Sequence, residues 1–270
     1  MEFLCFGIFE SMEIDTIIIL CLAAFAAGFV DAVVGGGGLI QTPVAMIVLP
    51  KESVATLIGT LKIPAFSGTS MAARQYVRRV ALKLRLLVLM GTLAFLASFC
   101  GSWLLTQVHN DFMKPVLLIV LIGIAIYTFV KKDFGQQSQK LRTDNELLIY
   151  GLLLSVVIGF YDGFIGPGTG SFLVIGFILV LGFDFLQASA HAKMVNLATN
   201  LGSILLFLLK GKIIWTLAFP MALANATGGW IGAKTAISKG NQFIRKVFLF
   251  VVIGTLLRFA WDVVCLFNHI

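Results

Sequence analysis

Two lysines, two aspartates and two runs of glycine stand inside otherwise apolar sequence, and they recur at one spacing. Asp31 precedes Gly35-Gly36-Gly37-Gly38, and 131 residues on Asp162 precedes Gly166-Pro167-Gly168-Thr169-Gly170. Lys62 and Lys193 obey the same offset, each 31 residues after its aspartate. A basic side chain near the centre of a spanning helix costs roughly 2.5–3.5 kcal/mol on insertion scales, so a repeat-matched pair calls for a compensating partner. That partner is either an anion or the aspartates. Lysines that merely snorkel to the interface are the plainer alternative. Asp31 and Asp162 have three readings: partners of the lysines, caps of helix N-termini, or carriers of a coupling proton.

The glycines act on the backbone. Four in succession cost roughly 1 kcal/mol each inside a helix, and Gly166-Pro167-Gly168 is no better, so both runs break their helices. Freed backbone groups in hydrocarbon need partners, found only where the break is buried in protein or lines a wet cavity. Breaks at matching points of two repeats point to a substrate site, where the next half-helix offers N–H groups and a positive dipole end to an anion. The donors expected from this are Gly36, Gly37 and Gly38 in the first half and Gly168, Thr169 and Gly170 in the second. Close helix packing is the competing use of such glycines. Neither run follows a strand, which disfavours a nucleotide loop.

His191, Asn196 and Asn200 surround Lys193 in sequence, and Asn196 and Asn200 share a helical face. Their first-half counterparts, Thr60, Ala65 and Thr69, are mostly less polar. An asymmetric site centred on the second half is expected, with Lys193 outweighing Lys62.

The elements that carry these groups follow from composition. The chain has 270 residues, 59% of them hydrophobic and 12% charged, with a mean hydropathy of +0.99. That is too little polar sequence to cover a soluble globule, and apolar runs of about 20 residues match a bilayer core. Alternating strand patterns are absent, excluding a barrel. The net charge of +7 resides largely in short loops, which makes it a topology signal and not a nucleic-acid footprint. Cys5, Cys21, Cys100 and Cys265 are isolated, with no pairing or metal-site spacing, so no metal and no cofactor are expected. The acidic N-terminus lacks the positive region of a cleaved signal peptide.

The apolar pieces are Ile14–Val34, a short Leu39–Leu49, Val54–Ala73, Leu84–Thr106 and Phe112–Val130, then Leu147–Ile165, a short Ser171–Leu181, Ala188–Leu209, Ile213–Ala233 and Phe243–Val264. The matched offset also pairs Gly101 with Gly232 and Gly123 with Gly254, marking a tandem duplication. The expected organisation is an N-terminal transmembrane repeat over 1–130, a cytoplasmic linker over 131–146 and a C-terminal repeat over 147–270. The fold class is an all-α integral membrane protein of two five-segment repeats with broken or short second helices. If every piece changes sides the repeats are inverted; if the short ones re-enter they are parallel. Inversion places Lys234, Lys239, Arg245 and Lys246 inside with the Arg74–Arg85 loop, as the positive-inside rule favours. Arg258 and Asp262, four apart, suggest an intrahelical pair.

Three stretches carry a family resemblance: Gly28 to Pro43, Gly159-Phe-Tyr-Asp-Gly-Phe-Ile-Gly-Pro-Gly-Thr-Gly-Ser171, and Ala188-Ser-Ala-His-Ala-Lys-Met-Val-Asn-Leu-Ala-Thr-Asn200. Through them the chain resembles the sulfite exporter TauE/SafE family, its bacterial inner-membrane branch in particular, over essentially its whole length. The resemblance implies a secondary transporter of small sulfur-containing anions such as sulfite or sulfonates, driven by a gradient since no nucleotide-binding domain is evident. An anion channel or a carrier of small carboxylates is the alternative. A membrane enzyme is disfavoured because Asp31, Asp162 and His191 form no catalytic motif, and a scaffold would not need buried lysines. The expected partners are a small anion and membrane lipid, with no nucleic acid; a homo-oligomer stays open.

Overall fold

In a computed structural model of the chain, residues 14–109, 113 and 143–267 are described. They form eight helices and no strand: α1 (Ile14–Val34), α2 (Gly37–Val48), α3 (Val54–Val77), α4 (Leu84–Gln107), α5 (Asp144–Phe164), α6 (Thr169–Leu179), α7 (Phe185–Leu209) and α8 (Trp215–Phe267). Apart from Met113, the expected piece at Phe112–Val130 lies outside the described residues, as do most of the linker, Cys5 and the side chains of Cys265, Arg258 and Asp262. Four helices, α1, α4, α5 and α7, are long and apolar enough to cross a membrane.

Three helix starts at the ends of the bundle, those of α3, α5 and α7, are capped by side chains. Ser53 accepts from the Thr56 amide, Asp184 accepts from the Gln187 amide, and Thr143 with Glu146 forms a reciprocal capping box. The two apolar pieces expected after residue 213 are joined in α8, which bends where Gly240 takes a φ of 68°. With a ψ of −165° Gly240 lies outside helical geometry, so the two expected runs stand as two helices on either side of a kink within the stretch labelled α8.

Small residues set the helix pairings and therefore their directions. Gly228 and Gly232 of α8 lie on Phe25 and Phe29 of α1, in the same order, so α1 and α8 run parallel. Gly159 and Gly163 of α5 lie on Ala94 and Ser98 of α4, again parallel. Gly59 faces Lys212 and Gly68 faces Asn225, which makes α3 parallel to α8. Gly91 meets Ala198 and Gly202 meets Phe95, which makes α4 parallel to α7. Meanwhile Thr60, early in α3, accepts from the Ile214 amide just past α7, while the Lys83 amide just past α3 donates to His191 early in α7. Thus α3 and α7 are antiparallel. Through these pairings each helix runs opposite to the one 131 residues away: α1 to α5, α3 to α7 and α4 to α8.

One end of the bundle holds the loops with Lys51, Lys210 and Lys212. The other holds Arg78, Arg79, Lys83 and Arg85, and there Val80 and Leu82 pack in one cluster with Ala233, Ala236 and Ile237, placing Lys234 and Lys239 at the same level. The short helix α2 turns back from the break toward the first end, where Met46, Val48 and Leu49 join Leu20, Leu57 and Leu217.

Candidate functional site

The site grows from the two breaks, which meet each other. Gly35 ends α1 with a φ of 85°, open to glycine at little cost, and its Cα leaves no room for a side chain against Gly170 and Ser171 of the other half. Ser171 Oγ donates to the Val34 carbonyl at 3.3 Å, satisfying an acceptor that the broken helix leaves free. On the other side Tyr161 Oη donates to the Pro167 carbonyl at 2.6 Å and Thr169 Oγ1 to that of Gly166 at 2.7 Å. Gly38 lies against Pro167.

Neither half-helix that follows a break has a side-chain cap. Gly36 precedes α2 and Gly168, with a φ of 85°, precedes α6, and no side chain accepts from the first amides of either. Asp31 and Asp162 therefore do not cap, contrary to one of the expectations above. The reason is that both carboxylates are engaged elsewhere.

The lysines reach across the halves. Lys62 Nζ lies 2.7 Å from Asp162 Oδ2, and the same ammonium donates to the Asp162 main-chain oxygen at 2.9 Å. Its hydrogen bond goes to the carbonyl, and the carboxylate stands beside it as counter-charge. Lys193 Nζ donates to Asp31 Oδ2 at 2.9 Å, and Thr69 Oγ1 donates to the same oxygen at 3.2 Å. Each lysine thus pairs with the aspartate of the other half. Lys62 comes eight residues after Val54 and Lys193 eight after Phe185, about 12 Å along helices that begin at opposite ends. The two pairs therefore sit on opposite sides of the bundle's mid-depth. With no charge left unpaired, both meet the condition under which buried ions are tolerated.

Between them is a cavity of ≈ 60 Å³, bounded by the glycine breaks, Asp31, Lys62, Asp162, Thr69, Asn196, Asn200, Gln41, Thr42 and Asn225. At roughly 10–15 Å³ per water this admits about four to six waters, or an ion of a few heavy atoms. Of the residues expected at the site, Gly37, Gly38, Gly168, Thr169, Gly170, Lys62, Asn196, Asn200, Asp31 and Asp162 line it. Gly36 does not; it stands one step back, before α2. Lys193 is fully buried behind Asp31, so the weight expected of it falls on Lys62 instead. His191 is elsewhere: its ring stacks 4.6 Å from that of Phe183, Nδ1 bonds the Gln187 carbonyl at 2.8 Å and Nε2 accepts the Lys83 amide at 3.4 Å. Residues two apart on a helix do not share a face, and His191 and Lys193 follow that rule.

Gln41 and Asn225 were not singled out by sequence. Asn225 Nδ2 donates to Gln41 Oε1 at 3.0 Å, and Gln41 Nε2 donates to the Leu61 carbonyl at 3.2 Å. Gly28 and Gly68 make room for Asn225 between α1 and α3. Their positions in the other half are held by Phe172 and Ala94, so a search for repeat-matched polar groups passes over them. The usable signal was their polarity alone within apolar helices. Among the described residues no cluster of three or more His, Cys, Asp or Glu is placed to hold a metal.

A polytopic helical bundle whose two broken helices meet over a small cavity with a few converging polar side chains defines a membrane transporter. The chain belongs to the sulfite exporter TauE/SafE family, whose sequence profile matches residues 20–259. It is 34% identical to a probable membrane transporter protein of Haemophilus influenzae over 92% of this chain and 96% of that one. It is also 34% identical to the probable membrane transporter protein ORF9 of a Sinorhizobium species, covering 94% and 95% of the two chains, and to YfcA of Escherichia coli K12, likewise a probable membrane transporter protein, covering 86% and 85%. No solved structure matches the chain.

Proposed function

We propose that the protein is a gradient-driven secondary transporter of small anions, with sulfur oxoanions or organosulfonates as the substrate class, and that it is not an enzyme. The observation that carries this reading is the pair of uncapped half-helix N-termini, α2 and α6, which face one cavity beside the Lys62 ammonium. A helix start of this kind presents N–H groups and about half a positive charge, the ordinary means of holding an oxoanion, although the Thr169 and Leu39 amides already donate to the Gly166 and Gly36 carbonyls at 3.3 and 3.1 Å. The cavity's size favours an ion of a few heavy atoms, sulfite-like before sulfoacetate-like. The family's name points to the same chemistry.

The repeats are taken to be inverted in the bilayer, 1–130 against 147–270, joined by a cytoplasmic linker. Supporting this are the opposite directions of matched helices and the gathering of Arg78, Arg79, Lys83, Arg85, Lys234 and Lys239 at one end, which the positive-inside rule makes cytoplasmic. The bacterial relatives suggest the inner membrane as its place. Small anion and lipid are its partners in this reading.

The test is uptake into proteoliposomes of sulfite, sulfoacetate, sulfate and simple carboxylates. Saturable uptake of a sulfur anion in preference to the carboxylates supports the proposal. Preference for carboxylates, or flux above about a million ions per second, faster than alternating access on the μs–ms scale allows, points to a carboxylate carrier or a channel instead.

A further inference from the structure

The two cavity carboxylates differ in what their protonation would release. Asp162 is only 4% exposed at its side chain, and its lysine is held twice, by the carboxylate and by the Asp162 main-chain oxygen. A proton on Asp162 would leave Lys62 still bonded to that carbonyl. Asp31 also lines the cavity but is 17% exposed, and the hydrogen bond of the fully buried Lys193 ends on its carboxylate. A proton on Asp31 would strip Lys193 of its counter-charge.

We propose that Asp31 takes up the coupling proton of the transport cycle while Asp162 stays ionised as the fixed counter-charge of Lys62. This rests on the anion-transport reading above and assigns its coupling ion. The groups facing Asp31 fit the role. Lys193 comes from α7 and Thr69 from α3, which also brings Tyr76, whose hydroxyl donates to the Ala32 carbonyl at 3.0 Å. Lys62 and Asp162 share the cavity with it, α8 contributes the neutral Asn225, and α2 and α6 contribute glycine backbone.

The balance is simple. A proton passes from cavity water to a carboxylate oxygen of Asp31, which becomes a neutral acid. The four-group set of Lys62, Lys193, Asp31 and Asp162 then changes from zero net charge to +1. One monoanion restores neutrality. On release the proton returns to water on the other side, so each cycle carries one proton and one monoanion with no net charge. Asp31 thereby makes the site attractive to an anion only when protonated, which ties the two fluxes together.

Infrared difference spectroscopy on the intact protein in lipid, with no substrate added, reads this directly. Acidification should raise the C=O band of a protonated carboxyl, the band should be lost in Asp31→Asn and kept in Asp162→Asn, and Asp31→Glu should shift its midpoint. No band in the wild type, or a band that survives Asp31→Asn, overturns the assignment. In proteoliposomes, Asp31→Asn should lose net sulfite uptake driven by an inward proton gradient. Undiminished gradient-driven uptake by Asp31→Asn also overturns it. Because the spectroscopic arm needs no substrate, the two readings fail separately: wild type that transports none of the anion panel sinks anion transport, whereas an active panel without an Asp31 band sinks the coupling role alone.

Discussion

Lys62–Asp162 and Lys193–Asp31 are one ion pair written twice by register, yet their surroundings differ. The first is the more deeply buried at its carboxylate, and its ammonium also ties down a carbonyl in the last turn of α5, a group the broken helix leaves without an amide partner. The second is half-open on its carboxylate side, shares that carboxylate with Thr69, and leaves the equivalent carbonyl of Asp31 to the Gly35 amide at 2.8 Å. The two register-matched pairs thus meet the cavity differently, the first through both of its partners and the second through Asp31 alone.

The largest effect that distinguishes them is on stability. Lys62→Met leaves Asp162 as an uncompensated buried charge and frees its carbonyl, a loss of about 3–5 kcal/mol. Lys193→Met leaves Asp31 with Thr69 and access to the cavity, where it can bind a proton, so its loss should be clearly smaller. Thermal unfolding in detergent compares the two; equal shifts would erase the distinction between the pairs.

Next comes the backbone. At Gly37 an added Cβ would sit 2.5 Å from the Ala27 carbonyl oxygen and 2.7 Å from the Asp31 Cβ, while Gly168 has a positive φ at the start of α6. Gly37→Leu and Gly168→Leu should abolish transport with the protein still in the membrane, and the first should also disturb the Asp31 pair. Gly211 has a positive φ but open space around it, so Gly211→Ala should cost only about 1–2 kcal/mol and keep transport. Uptake assays matched for expression decide, and full activity in either Leu variant would mean the breaks are merely tolerated.

A smaller effect is expected at the amide pair that only one half possesses. Asn225→Ala removes the donor to Gln41 and should cost about 1–3 kcal/mol, with a change in substrate affinity, since both residues line the cavity. A transport KM unchanged from wild type would confine the pair to a packing role. Smallest in its effect on activity is labelling: with native cysteines removed, single cysteines at Ser238 and Gly211 should react from opposite sides of the membrane, the first from the cytoplasm. Labelling of the Ser238 position from the outside would undo the inverted arrangement.

How much of this the sequence carried can be traced residue by residue. Helix limits such as Ile14–Val34 and Val54 onward were legible because spanning imposes an apolar run of fixed length, and the breaks because consecutive glycines, or glycine beside proline, are costly inside a helix. Spacing on one chain does not say which aspartate a lysine meets, so the crossing of Lys62 to Asp162 and Lys193 to Asp31 had to come from the packing of α3 and α5 and of α7 and α1. His191 was drawn in by nearness along the chain although two residues on a helix face apart. Gln41 and Asn225 were hidden by the strength of the repeat signal, because the groups that break a symmetry are those a symmetry search discards.

The central claim is that a small anion binds between the two ion pairs, at Lys62 and the starts of α2 and α6. The most direct test is calorimetry with the best-transported anion of the panel on purified wild type and on the charge-balanced Lys62→Met/Asp162→Asn variant, which removes the pair without leaving a lone buried charge. The variant should stay folded and bind at least tenfold more weakly, about 1.4 kcal/mol. Binding as tight as wild type would contradict the account and make the lysines anchors of the fold.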